Sequence, residues 1–259
     1  MNSIESMLES KNILVTGGCG FIGSEVTRQL SEHGANITVI DNLSSGKEEY
    51  IQKIPRVELI KSDLSQISSF KSVLEGMDYV INLAALPFIP ASYYIPIKFF
   101  ESNVNSTIAL ALEVVKQKNI KIVFDLNIRL NRWSNKLQLN KTLNLFLPLV
   151  SILFGTGEDM KKWKNNDNVI FFNKIINKNN IQHAVYRKNA SYNYAFINNK
   201  HFTNINKIRN TIVDSSGAGD GFNAAYISEF VTTQNAIKSL KSGHNMGSKI
   251  VMKKGAIIL

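Results

Sequence analysis

The sequence predicts an α/β fold with a mostly parallel sheet in a three-layer arrangement, with helices on both faces. Three observations support this. Short apolar runs alternate with helical patterns, the first such run ends in a glycine-rich turn that opens a helix, and the chain has 259 residues that are 44% hydrophobic. A chain of this length forms either one large domain or two small ones.

The first part of the chain alternates strand and helix in regular order. "KNILVTG" at 11–17 is a short apolar run that ends in glycine, a helical pattern at 24–35 closes at Gly34, and "NITVID" at 36–41 is a second buried strand. Further strands are predicted at 57–63, 78–85 and 120–124, with helices at 68–77 and 100–118. This alternation implies parallel strands covered by helices.

The character of the sequence changes at about 123–125, inside the last of these strands. Beyond it Asn and Lys become frequent, and strands are predicted at 150–154, 183–187 and 193–198, with helices at 217–231 and 235–252. We therefore divide the chain into domains 1–123 and 124–259. The first sheet either continues through the strand at 120–124 or is followed by a separate, partial α/β unit.

The net charge is +10, and the charged side chains are distributed unevenly along the chain. Residues 1–123 hold 11 basic and 13 acidic side chains, whereas 124–259 hold 19 and 7. A basic surface attracts polyanions, but only six of the 30 basic residues are Arg and they do not alternate with aromatics. We expect no nucleic-acid partner.

The sequence contains no feature typical of export or membrane insertion. Cys19 is the single cysteine, so an internal disulfide is excluded, and residues 1–10 lack the pattern of a signal peptide. The most apolar run, 145–154, is interrupted by Pro148 and is shorter than the ~20 residues that span a bilayer. A cytoplasmic location and no membrane contact are expected.

The first motif is the glycine-rich turn after the first strand. "TGGCGFIG" at 16–23 contains Gly17-x-x-Gly20-x-x-Gly23, and glycines let backbone N–H groups approach a pyrophosphate at a helix N-terminus. Asp41 ends the next strand, 18 residues after Gly23, where a carboxylate accepts both ribose hydroxyls and repels a 2′-phosphate. The pattern predicts NAD rather than NADP.

This segment resembles the start of the extended short-chain dehydrogenase/reductase family, and "DNLSSG" at 41–46 is similar to nucleotide-sugar 4-epimerases and dehydratases. The resemblance implies a Rossmann-like NAD site and extends through "SDL" at 62–64, "NLAA" at 82–85 and "NVNST" at 103–107, where Ser106 replaces a glycine. The cofactor-binding residues it implies are Gly17, Gly20, Phe21, Ile22, Gly23, Asp41, Asn42, Asp63, Leu64, Ala84 and Asn103.

The resemblance ends near residue 123, before the catalytic part of that family. Its members carry a Ser/Thr and then a Tyr-x-x-x-Lys helix, whose tyrosine is the general acid/base, and neither follows here. Tyr94-x-x-x-Lys98 precedes the helix at 100–118 and contains Pro96. We interpret it as an exposed loop.

A second motif, "DSSGAGDGF" at 214–222, resembles the C-terminal signature of ribokinase-like (pfkB) sugar kinases. The resemblance implies that Asp220 is the base that deprotonates the attacking sugar hydroxyl, and that Gly217, Ala218 and Gly219 form an anion hole at a helix N-terminus. "FDLNIRLNRW" at 124–133 resembles a segment of 2-keto-3-deoxygluconate kinases.

The kinase resemblance also covers the end of the chain, with departures. "HNMGSKIVMKKGAI" at 244–257 resembles the adenine-side helix and implies Asn245 as a nucleotide-binding residue. The Asn-x-x-Glu that manages Mg²⁺ falls at 155–158, which leaves Glu158 as the metal-side residue and puts Gly155 in the Asn position. The nucleotide loop near 186–193 has no glycine.

Neither half carries a whole active site, so several functions stay open. The primary interpretation is an NAD-binding protein of the epimerase/dehydratase family fused to the ATP-binding part of a sugar kinase. The alternatives are a carbohydrate kinase that uses Mg-ATP and Asp220, a non-catalytic nucleotide sensor and a recombined relic without activity. Expected partners are nucleotides, sugars or nucleotide-sugars, and the helix at 100–118 allows a homodimer.

Overall fold

A computed structural model describes residues 7–66, 70–86, 93–114, 121–130, 133, 135–206 and 211–255. The chain divides into two compact units, Met1–Ile120 and Lys121–Leu259. Each unit has its own sheet and its own apolar core, and each is described separately below.

The first unit contains a four-stranded parallel sheet in the order β3-β2-β1-β4. The strands are β1 (Asn12–Thr16), β2 (Asn36–Asp41), β3 (Val57–Lys61) and β4 (Tyr79–Asn82). After its first residue β1 is buried, because it lies between two partner strands and its run of apolar side chains packs into the core with Val39 and Ile37. The parallel α/β arrangement predicted from the sequence is confirmed.

The helices of the first unit differ in part from the sequence prediction. Helix α1 (Phe21–Glu32) begins directly after the glycine turn. α2 (Pro96–Phe100) is followed by a π-helical turn (Glu101–Asn105) and α3 (Ser106–Val114), which together occupy the described part of the helix expected at 100–118. The helix expected at 68–77 is wrong for its described part, which forms one 3-10 turn at Ser72–Leu74; residues 68 and 69 lie outside the described residues.

The second unit contains a five-stranded sheet in the order β5-β6-β7-β8-β9. The strands are β5 (Val123–Asp125), β6 (Ile152–Thr156), β7 (His183–Arg187), β8 (Tyr192–Ile197) and β9 (Lys200–Ile205). β5, β6 and β7 are parallel, whereas β8 and β9 form antiparallel pairs. The expectation that the strand at 120–124 is the fifth strand of the first sheet is wrong, because β5 pairs with β6 in the second sheet.

Helices pack around this second sheet. They are α4 (Lys136–Phe146), α5 (Gly157–Lys164), α6 (Val169–Lys178), α7 (Ala218–Thr233) and α8 (Ala236–Ile250). Sequence analysis predicted α7 and α8 but not α4, α5, α6 or β9. The core includes Phe154, Val185, Tyr226 and Leu240. α7 and α8 lie close together because Gly243 of α8 faces the Phe222 carbonyl, from which a Cβ would lie only 2.9 Å away.

Candidate functional site

A cavity of about 400 Å³ lies in the first unit at the carboxyl ends of the parallel strands. Its walls come from the glycine turn, the end of β2, the segment after β3 and the segment after β4. The predicted residues that line it are Gly17, Gly20, Phe21, Ile22, Gly23, Asp41, Asn42, Asp63, Leu64 and Ala84. Ligand sites in open parallel sheets occupy this position.

The glycines of the turn are fixed by close backbone contacts. Gly17 has φ +68°, and a Cβ on it would lie 2.7 Å from Ala84 N. A Cβ on Gly23 would lie 2.1 Å from the Gly17 carbonyl oxygen. The first hydrogen bond of α1 runs from Ser24 N to Gly20 O at 2.9 Å. The N–H groups of the first helical turn precede it and stay available at the cavity.

Asp41 is held at the end of β2 by two backbone donors. It is 8% exposed. Cys19 N donates to its Oδ2 at 3.0 Å and Leu43 N to its Oδ1 at 2.8 Å. Burial and the nearby Asp41 carboxylate raise the pKa of the Cys19 thiol to about 11. A carboxylate has about four acceptor positions, so Asp41 retains capacity for ligand hydroxyls.

A second carboxylate lies on the same rim. Asp63 follows β3, and its Oδ2 accepts a 3.0 Å hydrogen bond from Asn42 Nδ2 while its Oδ1 accepts one from Ser65 N at 2.8 Å. These donors, the Ser65 amide above all, lower the pKa of Asp63 below its usual value. Asp63 therefore stays ionised and acts as an acceptor on this side of the cavity.

A polar chain beneath the cavity connects β1, β4 and α3. Thr16 Oγ1 donates to Asn82 Oδ1 at 2.5 Å and accepts the Leu83 and Ala84 amides, each at 3.2 Å. Asn82 Nδ2 donates to Thr107 Oγ1 at 3.0 Å. This chain holds the wall segment after β4 against the glycine turn. Sequence analysis did not assign a role to Thr16, because its partner lies 66 residues away.

Asn103 holds one wall segment of the cavity by hydrogen bonds to its backbone. Its Oδ1 accepts from Leu86 N at 2.7 Å and its Nδ2 donates to Leu86 O at 3.2 Å, and Leu86 lines the cavity. Tyr94 lies before α2 and is 87% exposed. Among the described lining residues of this cavity there is neither tyrosine nor lysine.

A second cavity, of about 490 Å³, lies in the second unit. The residues predicted from sequence that line it are Glu158, Ala218, Gly219 and Asn245, and other lining residues include Thr156, Gly157, Arg187, Lys188, Phe222, His244 and Ser248. Gly217 and Asp220 adjoin this set in the chain and are not among the lining residues. Asp220 is exposed in the first turn of α7.

The loop before α7 is shaped by one carboxylate and one glycine. Asp214 accepts hydrogen bonds from Ser216 N at 2.9 Å and Gly255 N at 3.0 Å, which lower the pKa of its carboxyl group. Gly217 is the N-cap of α7 with φ +74°, a conformation that favours glycine. The "GAGD" segment therefore turns directly into a helix N-terminus.

A half-buried polar cluster lies next to Gly219. Asn223 Nδ2 donates to Asp125 Oδ2 at 2.7 Å, and Arg187 Nη2 lies 3.6 Å from the same oxygen. Asp125 Oδ1, Arg187 Nε and Asn223 Oδ1 are buried without a hydrogen-bond partner. Burial raises the pKa of Asp125 above its usual value even though Arg187 and Asn223 oppose that shift.

The departures from the kinase pattern have structural reasons. A Cβ on Gly155 would lie 2.9 Å from Leu126 Cδ1 and 3.0 Å from Phe172 Cε2, so packing opposes an asparagine there. The hairpin loop at 188–191 has no residue with positive φ and is closed by Asn189 Oδ1, which accepts the Ser191 and Tyr192 amides at 2.9 Å each. This loop does not need a glycine.

Glu158, the residue expected on the metal side, pairs with Lys162 at 2.5 Å and has a side chain that is 75% exposed. The bond to Lys162 lowers the pKa of Glu158. Within the described ranges, no group of three or more His, Cys, Asp or Glu side chains is placed to hold a metal ion.

Two family models match this chain. The NAD dependent epimerase/dehydratase family matches residues 13–125, and the pfkB family carbohydrate kinase matches residues 87–259. The chain belongs to both families. The two matches overlap at 87–125, which includes β5. Below, residues 1–120 are the epimerase-like unit and residues 121–259 the kinase-like unit.

Two named relatives match the epimerase-like unit. The bifunctional protein GAL10 of Candida maltosa is 34% identical over 118 residues, which cover 42% of this chain and 76% of that sequence. The UDP-glucose 4-epimerase of Lacticaseibacillus casei is 35% identical over 115 residues, 43% of this chain and 34% of the enzyme. The chain thus spans about a third of that epimerase's length.

Solved structures also match. The UDP-N-acetylglucosamine 4-epimerase from Methanobrevibacter ruminantium M1, solved with UDP-N-acetylmuramic acid, is 25% identical with a TM-score of 0.45, covering 57% of this chain and 55% of that one. In the described part of the chain, every helix is too short or too polar to cross a bilayer.

Proposed function

We propose that the epimerase-like unit binds NAD. The observation that carries this proposal is the glycine turn, where the Gly23 position has a carbonyl oxygen 2.1 Å from where a Cβ would be. Only glycine fits there, and the start of α1 lines the cavity, where the helix N-terminus stabilises the charge of a pyrophosphate. The family match and the cavity at the strand ends support the same ligand.

The residues present fit an adenosine ribose as well as a pyrophosphate. Asp41 lies on the cavity wall with its carboxylate already oriented by the Cys19 and Leu43 amides. Its negative charge favours ribose hydroxyls and opposes a 2′-phosphate. Asp63 and Asn42 add hydrogen-bonding groups on the rim of the cavity.

NAD supplies hydride transfer when it is bound. The described lining residues offer no tyrosine and no lysine to move a proton at a sugar hydroxyl. We therefore propose binding of NAD without epimerisation, with nucleotide-sugars as weak partners at most. On this proposal, the epimerase-like unit is a nucleotide-binding or nucleotide-sensing module.

An Asp41→Asn variant tests the NAD site. The neutral amide keeps an acceptor but loses the charge, so we expect NAD⁺ affinity to fall about tenfold and discrimination against NADP⁺ to narrow. Calorimetric titration of the whole chain with each dinucleotide measures both. Asp78→Asn is the matched control, because Asp78 accepts the Asn12 amide at 2.9 Å and does not line the cavity.

If Asp41→Asn leaves NAD⁺ affinity unchanged, the Asp41 carboxylate does not contribute to NAD⁺ binding. A folded wild-type chain that binds neither NAD⁺ nor NADP⁺ would reject the proposal and favour a relic without a ligand.

A second candidate function belongs to the kinase-like unit. Its cavity brings together Ala218, Gly219 and Asn245 from α7 and α8, which supports binding of Mg-ATP. Asp220 is the base proposed for a carbohydrate kinase, and it lies exposed one residue beyond the cavity-lining Gly219. Sugar-dependent ADP release by the wild type that disappears in Asp220→Asn would support this function. Equal release by both proteins would exclude Asp220 as base.

A further inference from the structure

A buried arginine lines the cavity of the kinase-like unit without a hydrogen-bond acceptor for its Nε. Arg187 ends β7, and its side chain is only 15% exposed. Its Nη2 lies 3.6 Å from Asp125 Oδ2, beyond hydrogen-bond range. A guanidinium carries five N–H donors. The Asp125 carboxylate offsets only part of the cost of burying this charge, and an anion in the cavity that accepts from the Nη groups would offset more of it.

Neighbouring side chains hold this guanidinium in one orientation. Its Cζ lies 5.0 Å from the centre of the Phe222 ring, a cation–π contact that restricts where the group can lie. Asp125 lies beside Nη2, and Asn223 holds Asp125 through a 2.7 Å hydrogen bond. The arginine is therefore positioned before any ligand arrives, which reduces the entropy lost on binding.

The free side of the guanidinium faces the start of α7. A Cβ on Gly219 would lie 3.2 Å from Arg187 Nη1, so this nitrogen lies beside the backbone of the first helical turn. The positive end of the helix dipole and the guanidinium thus act on the same part of the cavity. Two adjacent positive groups with free donors suit a phosphate chain, which Arg binds in a bidentate manner.

We infer that Arg187 binds phosphate oxygens of a nucleotide's polyphosphate chain in the kinase-like unit. Asp125 and Asn223 act through Arg187 as positioning residues. This inference rests on the nucleotide site proposed for this unit and adds to it a side chain that the motif resemblance does not name.

Three probes separate the phosphate chain from the nucleoside. The whole chain is titrated calorimetrically with ATP, adenosine and inorganic tripolyphosphate, as wild type and as Arg187→Met. Loss of a charge-assisted contact is expected to weaken ATP and tripolyphosphate by about tenfold to a hundredfold. Adenosine affinity should change less than about twofold. Lys200→Met removes one positive charge from the exposed start of β9 and is the matched control.

The fold of each variant is checked by thermal unfolding. Where Arg187→Met does not fold because it leaves Asp125 without its cation, the double variant Asp125→Asn/Arg187→Met removes both charges together. The same selective loss of ATP and tripolyphosphate is expected from it. Arg187→Lys should recover part of the affinity, since it keeps the charge and loses the fork.

The outcomes distinguish this inference from the proposed nucleotide site. Equal weakening of adenosine and ATP would show a structural role and overturn the inference. ATP and tripolyphosphate affinities that Arg187→Met does not change would overturn it as well. Tripolyphosphate binding that depends on Arg187, in a chain that binds neither adenosine nor ATP, would support the phosphate contact of Arg187. It would reject the proposed nucleotide site. A wild type that binds none of the three probes would overturn both.

Discussion

The two glycine-rich loops differ in what surrounds their glycines. In the epimerase-like unit, a Cβ on Gly17 or Gly23 would collide with backbone atoms at 2.7 and 2.1 Å, and a backbone cannot move without moving its strand or helix. In the kinase-like unit, a Cβ on Gly219 would meet only the tip of Arg187 at 3.2 Å. The first loop therefore requires glycine for packing against backbone. In the second, Gly217 is required for its φ of +74°, and a Cβ on Gly221 would meet the Ile250 side chain at 2.1 Å.

The polar groups of the two sites differ as well. Thr16, Asn82 and Asp41 all have hydrogen-bond partners beneath the first cavity. Three buried polar atoms beside the second cavity have none. Such groups are rare in folded proteins, and each needs a physical explanation. The polar side chains beneath the first cavity are therefore paired with one another, whereas those beside the second are only partly paired.

The largest expected effect comes from Gly23→Ala. The new Cβ pushes the start of α1 away from the Gly17 carbonyl, so NAD⁺ affinity should fall more than about 100-fold. Calorimetric titration with NAD⁺ measures this loss, and tripolyphosphate binding by the kinase-like unit is the internal control. An alanine variant that binds NAD⁺ as tightly as wild type would contradict the packing account of this loop.

A medium effect is expected from Gly243→Ala in the kinase-like unit. The Cβ would lie 2.9 Å from the Phe222 carbonyl, so α8 must shift from α7 and the free energy of unfolding should fall by about 1–3 kcal/mol. Urea unfolding followed by circular dichroism measures it. Gly219→Ala is the control, with a change below about 1 kcal/mol because only a side-chain tip is displaced. Equal losses in both variants would contradict this difference.

The last effect depends on pH and distinguishes the two units. His183 is 8% exposed, its Nε2 lies 2.8 Å from Tyr226 Oη, and burial lowers its pKa from 6.5 to about 4. Because the unfolded chain takes up the proton first, stability falls as pH decreases from 6.5 towards 4. The loss between pH 7.5 and 5 should be about 2 kcal/mol.

His183→Gln should remove most of this pH dependence, because glutamine does not titrate. Burial also lowers the pKa of His244, which accounts for a smaller remaining part. Urea unfolding at pH 7.5 and 5, with wild type as reference, measures the difference. In the epimerase-like unit, the pKa values of Asp63 and Asp78 are lowered by hydrogen bonds, so their contribution is lost only in stronger acid. A variant that keeps the full wild-type loss between these pH values would exclude His183 as its cause.

Local patterns in the sequence predict most of the residues that line the first cavity. The apolar run of β1, the glycine turn and Asp41 follow one another within 30 residues, and the sheet brings them together because neighbouring parallel strands end at the same edge. The polar chain from Thr16 to Thr107 could not be predicted in the same way, because its members meet only after β1, β4 and α3 have packed.

The kinase-like unit was harder to predict. β9 reads "KHFTNI" and is mostly exposed, so it lacks the apolar run that marks a strand. The sheet that β5 joins depends on β6, which lies 29 residues further along the chain. Arg187 lies in the segment 186–193 that aligns with the kinase nucleotide loop, but no motif residue marks its side chain, and its position depends on Asp125, 62 positions earlier in the sequence.

Cys19, the single cysteine, can be used to measure how often the glycine turn opens. Cys19 is fully buried within the turn, and its raised pKa, about 11, leaves almost no thiolate at neutral pH. Thiol reagents react with the thiolate, so modification of the native chain must wait for the loop to open. The rate of that labelling therefore measures how often the loop opens, and a ligand that rests on the loop would slow it in proportion to its occupancy.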